Sequence, residues 1–522
     1  MKKHVLFLMA VMMAAQLRAD SILSSSAFAP DHILVKFRND IGKTVTAITT
    51  TNVLSLLVAQ LNLPAGVELS EPAISQIIRS HQSIASRAAG VATVNSTVDL
   101  DHFLYLHLPP GLTPEQCVLL LQNNPLVEYA ELDGIGTAGQ IPNDPIFGIQ
   151  WHHANSVKPS ACIQTPAAWD ITTGSTNVLV AVLDTGLNSA LAEFTNRVVP
   201  GYNFVSNNAN TADDNDHGTS VAGTLAANAN NGIVGAGVDW KCRILPVKVL
   251  DANGNGYYSW WAQGVDYAVS QGAKVINLSA GGSTSDATLT HSITNAIAHG
   301  VVFVTITHND GAGIIRFPGN LTNCITVGAT DQQDRRCGFS NFGPQIDLVA
   351  PGTNINTVGI DGTWWYWWGT SFAAPQVAGV CSLMVSIRPD LTPDQIRNIL
   401  CLGAEDLVGD ATDTSGFDNY YGWGRLNAYN ALLLAKTRID QVTALTNRQI
   451  KIGWVSPPNA SNRQPYQICF STNLAGPWSL FAATNGFSYT SNRTYWIDDG
   501  TQTGSYSNSA AQFYRIQLKV LP

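Results

Sequence analysis

At 522 residues, 45% of them hydrophobic, the chain is too long for one ordinary domain and has ample material for a large core. Its 28 basic and 37 acidic residues leave a net charge of −9, which argues against nucleic acid as a partner. The first residues, MKKHVLFLMAVMMAAQLRAD, join a two-lysine start to an apolar stretch from Val5 to Ala15 and small residues near Ala19. That is the pattern of a signal peptide over 1–19, with export to the extracellular or cell-envelope exterior; a membrane anchor is the alternative. The run is too short to cross a bilayer comfortably and nothing later is long enough, so no membrane span is expected.

Residues 20–139 read as a separate small α+β unit. HILVKF (32–37), HFLYLHLPPG (102–111) and PLVEYAELD (125–133) have strand patterns, and LTPEQCVLLLQNN (112–124) is an amphipathic helix. The run DGIGTAGQ (133–140) that follows is small and flexible, a place for proteolytic cutting. The eight cysteines (117, 162, 242, 324, 337, 381, 401 and 469) show no CxxC or Cys-His spacing, which argues against zinc. Export permits disulfides, and Cys324 with Cys337 or Cys381 with Cys401 are the near pairs.

Three later segments carry chemistry. In VAVLDTG (180–186) an apolar run, the pattern of a strand buried on both faces, ends in Asp184. In DNDHGTSVAG (214–223) His217 opens an apolar helix pattern, and in GTSFAAPQVAG (369–379) Ser371 does the same. Each alone has a bland reading as a cap or turn residue. Together they put an acid, a base and a nucleophile at strand ends and helix starts, where loops gather in an open α/β sheet. A serine hydroxyl is a poor nucleophile at neutral pH, so Ser371 needs His217 to take its proton. Asp184 is needed to fix the imidazole tautomer and stabilise the imidazolium. The order Asp, His, Ser is that of subtilisin-type enzymes and differs from the orders of chymotrypsin-like and α/β-hydrolase enzymes.

On these motifs residues 141–436 resemble the subtilase family. The resemblance implies a three-layer, doubly wound α/β core of mostly parallel strands, and a serine endopeptidase working through an acyl-enzyme. KVINLSAGG (274–282) looks like the family strand whose exposed edge pairs with substrate backbone at Ser279, Ala280 and Gly281. VVFVTITHNDG (301–311) resembles the family's oxyanion element and puts Asn309 at the amide position, with the Ser371 N–H as second donor. His308 stands where the family usually has Gly, and either crowds this loop or turns to a polar neighbour. It is the main support for the alternative reading, a subtilase scaffold without turnover. Arg316 falls at the floor of the P1 pocket, where its guanidinium would favour an acidic or small P1 residue; the alternative is that it turns to solvent. Trp367, in GTWWYWWGTS, should border the leaving-group side.

By the same resemblance Asp144 in IPNDPIFG, Glu193 and Asn231 fall in one structural Ca²⁺ site, whose hard oxygen ligands suit that ion. A second family calcium position carries Asn203, Ser206 and Asn208, which lack the charge. No organic cofactor is implied. Residues 20–139 resemble the family's inhibitor propeptide, which templates folding and holds its C-terminal tail in the cleft until cut between about Asp133 and Gln140. The expected domains are therefore 1–19, 20–139, 140–436 and 437–522, in a monomer acting on proteins and peptides. Residues 437–522 carry the short alternating strands QIKIGWV, YQICFST, PWSLFAA, TYWIDD and QFYRIQLKV, a small antiparallel β-sandwich with either a binding or a passive stabilising role.

Overall fold

The computed structural model describes residues 140–444 without interruption, together with 28–38, 61, 67–70, 104–109, 112–121, 124–134, 449–460, 464–471, 479–480, 487–489, 493–498 and 513–521. The signal-peptide segment and the core of the expected cut, 135–139, lie outside the described residues. The chain forms two compact bodies, 1–138 and 139–522.

In the first body, β1 (Phe28–Phe37), β2 (Glu68–Ser70), β3 (Leu104–His107) and β4 (Val127–Gly134) make an antiparallel sheet in the order β2-β3-β1-β4. Alternate residues Ile33, Val35 and Phe37 of β1 face inward. They pack with Cys117, Val118 and Leu121 of α1 (Pro114–Leu121). A period-2 pattern meeting a helical one is what a half-covered sheet requires.

In the second body seven strands build one parallel sheet, in the order β11-β10-β9-β8-β5-β7-β6. They are β5 (Leu179–Asp184), β6 (Tyr202–Asn203), β7 (Arg243–Lys248), β8 (Val275–Leu278), β9 (Val302–Ile306), β10 (Ile325–Thr330) and β11 (Leu348–Pro351). All six residues of β5 are buried because its two faces serve two cores. Val180 and Val182 pack toward α2 (Thr165–Trp169), α3 (His217–Ala226) and α6 (Thr370–Ile387). Leu179, Ala181 and Leu183 pack toward α4 (Tyr258–Ser270) and α5 (Ala287–Ala298). Strand order reverses at β5, and at such switch points an open α/β sheet leaves a crevice at its carboxyl ends. β8 is a central strand paired on both sides, so only its continuation past Leu278 leaves the ladder.

Helix α6 is apolar and long enough to pass for a membrane span, yet 89% of it is buried, which marks a core helix. A hairpin of β12 (Ile355–Val358) and β13 (Trp364–Trp367) precedes it, and α7 (Pro393–Gly403) and α8 (Ala428–Ala435) follow.

Beyond α8 lie two antiparallel sheets. One is β14 (Gln441–Ala444), β15 (Ile450–Val455), β19 (Arg493–Asp498) and β18 (Phe487–Tyr489). The other is β17 (Ser479–Leu480), β16 (Tyr466–Ser471) and β20 (Phe513–Leu518). Their apolar residues Ile452, Trp454, Tyr466, Ile468 and Trp496 belong to the same continuous core as Leu400 of α7 and Leu434 of α8. Asn398 locks the contact: its amide donates to the Lys519 carbonyl at 2.7 Å and its oxygen accepts the Leu521 N–H at 2.9 Å.

All eight cysteines are buried free thiols, so the near pairs suggested by spacing are not bridged. Sequence proximity brings Cα atoms close only when the intervening chain turns back, and Cys381 and Cys401 stand on different helices, α6 and α7.

His152 and His153 are fully buried with ring centroids 4.1 Å apart. His153 bonds Thr165 and the Ala236 carbonyl, whereas neither ring nitrogen of His152 has a partner. Burial holds His152 well below 6.5 and His153 down to about 4, so both are neutral in the native state. The unfolded chain takes up their protons near pH 6.5 while the native state does not, so stability falls as pH drops below that value. At about 1.4 kcal/mol per pKa unit, His153 alone costs about 3 kcal/mol by pH 4. Urea unfolding between pH 7 and 5 should show this loss, and His152→Phe should make the slope shallower; parallel slopes would remove His152 from the account.

Candidate active site

Asp184 ends β5, fully buried, where a bare carboxylate costs several kcal/mol unless it is paired. Its Oδ1 accepts the His217 Nδ1–H at 2.7 Å and the Thr185 N–H at 2.7 Å. His217 is the first residue of α3, and close approach of two glycines puts it there: a Cβ on Gly218 would lie 2.3 Å from the Gly186 carbonyl. Burial opposes charging of the imidazole, yet the Asp184 charge and hydrogen bond, with Asp213 and Asp216 behind them, hold its pKa above 6.5.

Asp213 was not singled out in the sequence, and it ties the two segments together. Its Oδ1 accepts the Thr185 hydroxyl at 2.8 Å. Its Oδ2 accepts the Thr219 N–H at 2.8 Å and hydroxyl at 2.6 Å. Thr185 Oγ1 in turn accepts the Gly218 N–H at 2.8 Å. A carboxylate four residues before α3 thus caps the helix's first turn at Thr219, which the adjacent Asp216 does not do. The available signal was an Asp four residues before the His.

Ser371 is the second residue of α6, so its N–H is among the first four of the helix, which lack intrahelical acceptors. Its hydroxyl donates to the Ser279 carbonyl at 3.3 Å rather than to His217. Ser279 Oγ donates back to the Ser371 carbonyl at 2.9 Å, holding the 279–281 segment against the helix start. In enzymes of known mechanism, hydrogen bonds between nucleophile and base are often long without substrate and tighten in its complex. Asn309 Oδ1 accepts both the N–H and the hydroxyl of Thr370 at 2.9 Å, which commits the carbonyl end and leaves the amide N–H₂ as donor. Thr370 is the second residue missed in the sequence; it orients Asn309.

His308 has φ +89°, the left-handed region that favours Gly. Its Nδ1 meets Asp310 Oδ2 at 3.2 Å, and its ring lies 3.1 Å from where a Cβ on Gly281 would be. It therefore turns to a polar neighbour, and Asn309 keeps both Thr370 bonds. The same Asp310 oxygen accepts Arg316 Nε at 2.8 Å and Asn341 Nδ2 at 3.1 Å. Arg316, whose side chain is 29% exposed, is thus neither a free pocket cation nor turned to solvent: it is paired, with Cβ near Gly281. Trp367 stacks on Phe372 (centroids 5.1 Å apart) and meets the His217 ring edge-on at 6.4 Å.

At a second locus the structure brings together Asp144, Glu193 and Asn231. Asp144 and Glu193 are buried, and Asn231 spans them with its N–H on Asp144 Oδ1 and its Nδ2 on Glu193 Oε2, each at 3.0 Å. Burial pushes the Glu193 carboxyl up to about 7, with the Asp144 charge adding to it. The terminal N–H groups of Arg197 go to the carbonyls of Glu193, Ala226, Asp239 and Cys242 rather than to either carboxylate, and its charge only partly offsets the upward push on Glu193. Backbone N–H groups of Asn230, Asn231 and Gly232 meet Asp144, the Gly235 N–H and the Asn231 amide meet Glu193, and the Asn231 oxygen accepts the Ile233 N–H, so a hard cation would use the carboxylate lone pairs these donors leave open and would need the Asn231 amide to turn over. Among the described residues no group of three or more His, Cys, Asp and Glu side chains assembles, so any further ligands there would be amide or carbonyl oxygens.

The family model described as "Subtilase family" matches residues 175–424. A "Thermophilic serine proteinase" from a Bacillus species is 39% identical over 61% of this chain and 76% of its own. The chain belongs to the subtilase family. It is a serine endopeptidase of subtilase type. "Thermitase" from Thermoactinomyces vulgaris is 37% identical over 56% of this subtilase and 99% of its own length. A protease of known structure from Pseudoalteromonas arctica is 32% identical, covers 57% of this chain and all of that one, and has a TM-score of 0.51.

Asp216 stands at φ +86°, with its Oδ1 on the Ile360 N–H at 2.7 Å. A negative charge beside His217 favours the imidazolium, so Asp216→Gly should lower the His217 pKa, and Gly accommodates that φ without strain. NMR titration of the His217 ring protons should show the downward move; an unchanged midpoint would mean that the Asp216 charge is screened.

Proposed function

We propose that this subtilase is a secreted endopeptidase made as a zymogen, with Asp184, His217 and Ser371 as its triad. The observation that carries the reading is the 2.7 Å bond from His217 Nδ1 to the buried Asp184, which leaves Nε2 as the basic nitrogen. Ser371 Oγ attacks a peptide carbonyl whose chain extends along Ser279, Ala280 and Gly281, and His217 Nε2 takes the hydroxyl proton. Negative charge on the carbonyl oxygen is met by the Ser371 N–H and the Asn309 amide; removing such a donor costs about 2.7–4 kcal/mol. The protonated imidazole then gives its proton to the leaving amine, and water deacylates Ser371 by the reverse route. Arg316, tethered to Asp310 beside Gly281, is read as a wall of the P1 side rather than a free charge.

Export rests on the N-terminal 1–19, and the inhibitor role of 20–139 on its strand-helix-strand build and on the small residues of 133–140. Residues 140–436 are read as the protease domain and 437–522 as a module that stabilises it, since the two share one core and the Asn398 lock. The enzyme is read as a monomer that acts on proteins and peptides.

Intact mass and casein hydrolysis of the secreted protein test the whole reading. The wild type should lose its N-terminal residues up to the 133–140 segment and cleave casein, and Ser371→Ala should do neither. A folded wild type that is uncut and inactive would favour the scaffold without turnover.

Asp144, Glu193 and Asn231 are proposed to hold one structural Ca²⁺, which would supply the positive charge that the two carboxylates lack. Chelation should lower the thermal midpoint of the Ser371→Ala protein, in which autolysis is absent, and added calcium should restore it. An unchanged midpoint would sink the site.

A further inference from the structure

One amide side chain interrupts the apolar centre of the parallel sheet. Asn277 on β8 is fully buried, and in register it stands between Val182 of β5 and Val304 of β9. An amide in such surroundings carries a desolvation penalty for each polar end left unpaired. Its Oδ1 has no hydrogen-bond partner among the described residues. Its Nδ2 donates to Ser279 Oγ at 3.0 Å, so the polar contact of this side chain runs to Ser279.

Beyond Ser279 lies a gap in a helix. In α6 the Ser371 carbonyl would ordinarily accept the N–H of residue 375, but that residue is Pro375, which has none. Ser371 is only 8% exposed, so the carbonyl needs a donor from elsewhere. Ser279 Oγ supplies it at 2.9 Å. A serine hydroxyl has one proton, and Asn277 decides where it goes. With Nδ2 on Ser279 Oγ, that proton turns to the Ser371 carbonyl. With the amide reversed, Oδ1 would draw the proton away and leave the carbonyl bare.

The two bonds run in one direction, from the Asn277 N–H to Ser279 Oγ and from the Ser279 O–H to the Ser371 carbonyl, so each polarises the next. The 279–281 segment is anchored without them. β8 is laddered on both sides, and beyond the segment Gly282 exchanges main-chain bonds with Phe317 at 2.7 and 3.1 Å. What the relay holds is the first turn of α6, whose N-cap, Gly369, has no side chain to cap it. That turn carries both Ser371 Oγ and the Ser371 N–H. We propose that Asn277 is a positioning residue for peptide hydrolysis, acting through the Ser279 hydroxyl to fix Ser371 against the 279–281 segment. This inference rests on the proposed roles of Ser371 and Ser279. Small displacements of the attacking oxygen and the N–H weaken the tetrahedral state more than the bound peptide, so kcat should respond rather than KM.

Asn277→Leu, branched like the amide but unable to donate, Ser279→Ala and the two combined test it on a peptide amide substrate, well below each thermal midpoint. Each single substitution should lower kcat about tenfold and leave KM within twofold. The double should be no slower than the slower single, because a relay cut once has nothing more to lose. Ser279→Ala, which removes one buried oxygen, also gives a readout that needs no Asn277 variant. By NMR it should speed solvent exchange of the Asn277 side-chain N–H₂ at least tenfold. Unchanged kcat, additive losses, a rise in KM at constant kcat, or an Asn277 amide indifferent to Ser279→Ala would each overturn the relay in an active enzyme. A folded wild type without turnover would instead overturn the proposed roles of Ser371 and Ser279, and the positioning role with them.

Discussion

Everything at the proposed triad depends on a carboxylate buried at the end of β5, an interior strand of the parallel sheet. Asp184 has no exposed surface, and water cannot stabilise its charge. Its position is tenable because the neighbouring N–H groups of His217 and Thr185 point at one oxygen, and because the approach of Gly218 to Gly186 lets the start of α3 sit on the strand end. Lys248, on the paired strand β7, adds a buried ammonium bound to the Thr185 carbonyl and to Asp214. The parallel sheet supplies the switch point, the glycines supply the approach, and the buried charge then dictates the imidazole's orientation.

A second constraint works beside Ser371, the proposed nucleophile. Asn309 can present its amide only if its carbonyl end is committed, and Thr370 commits it. The loop beside it carries His308 in a backbone region that suits Gly, a strain of order 1–3 kcal/mol. Asn341 holds that loop closed through the Asp310 and Ala312 N–H groups, and Asp310 gathers His308 and Arg316 on one oxygen. The departure from the usual family residue is thus absorbed by neighbours within the same loop system.

The fold class was legible because its signals are local and strong. The unbroken apolar run of β5 needs two covering faces, and Val180 and Leu179 do serve two different cores. The alternating runs of β15, β16, β19 and β20 have the pattern of antiparallel strands, and they form such strands, although β15 and β16 bury consecutive residues where they join the core. Helix starts at His217 and Ser371 were legible for the same reason. Less visible were Asp213 and Thr370, polar residues of common type whose roles arise from side chains brought together across 28 and 61 positions of chain.

The sequence by itself determined the groups on offer: an Asp, a His and a Ser in a diagnostic order, on segments whose periodicity already specifies strand ends and helix starts. Tertiary structure alone decided which groups meet. It paired Arg316 with Asp310, left every thiol unbridged, merged the C-terminal sheets with the core of α7 and α8, and turned a tryptophan-rich hairpin outward beside His217. Hydrogen bonds and ring contacts act over a few ångströms of space, whereas sequence records only distance along the chain, and the two agree only inside a single helix, strand or turn.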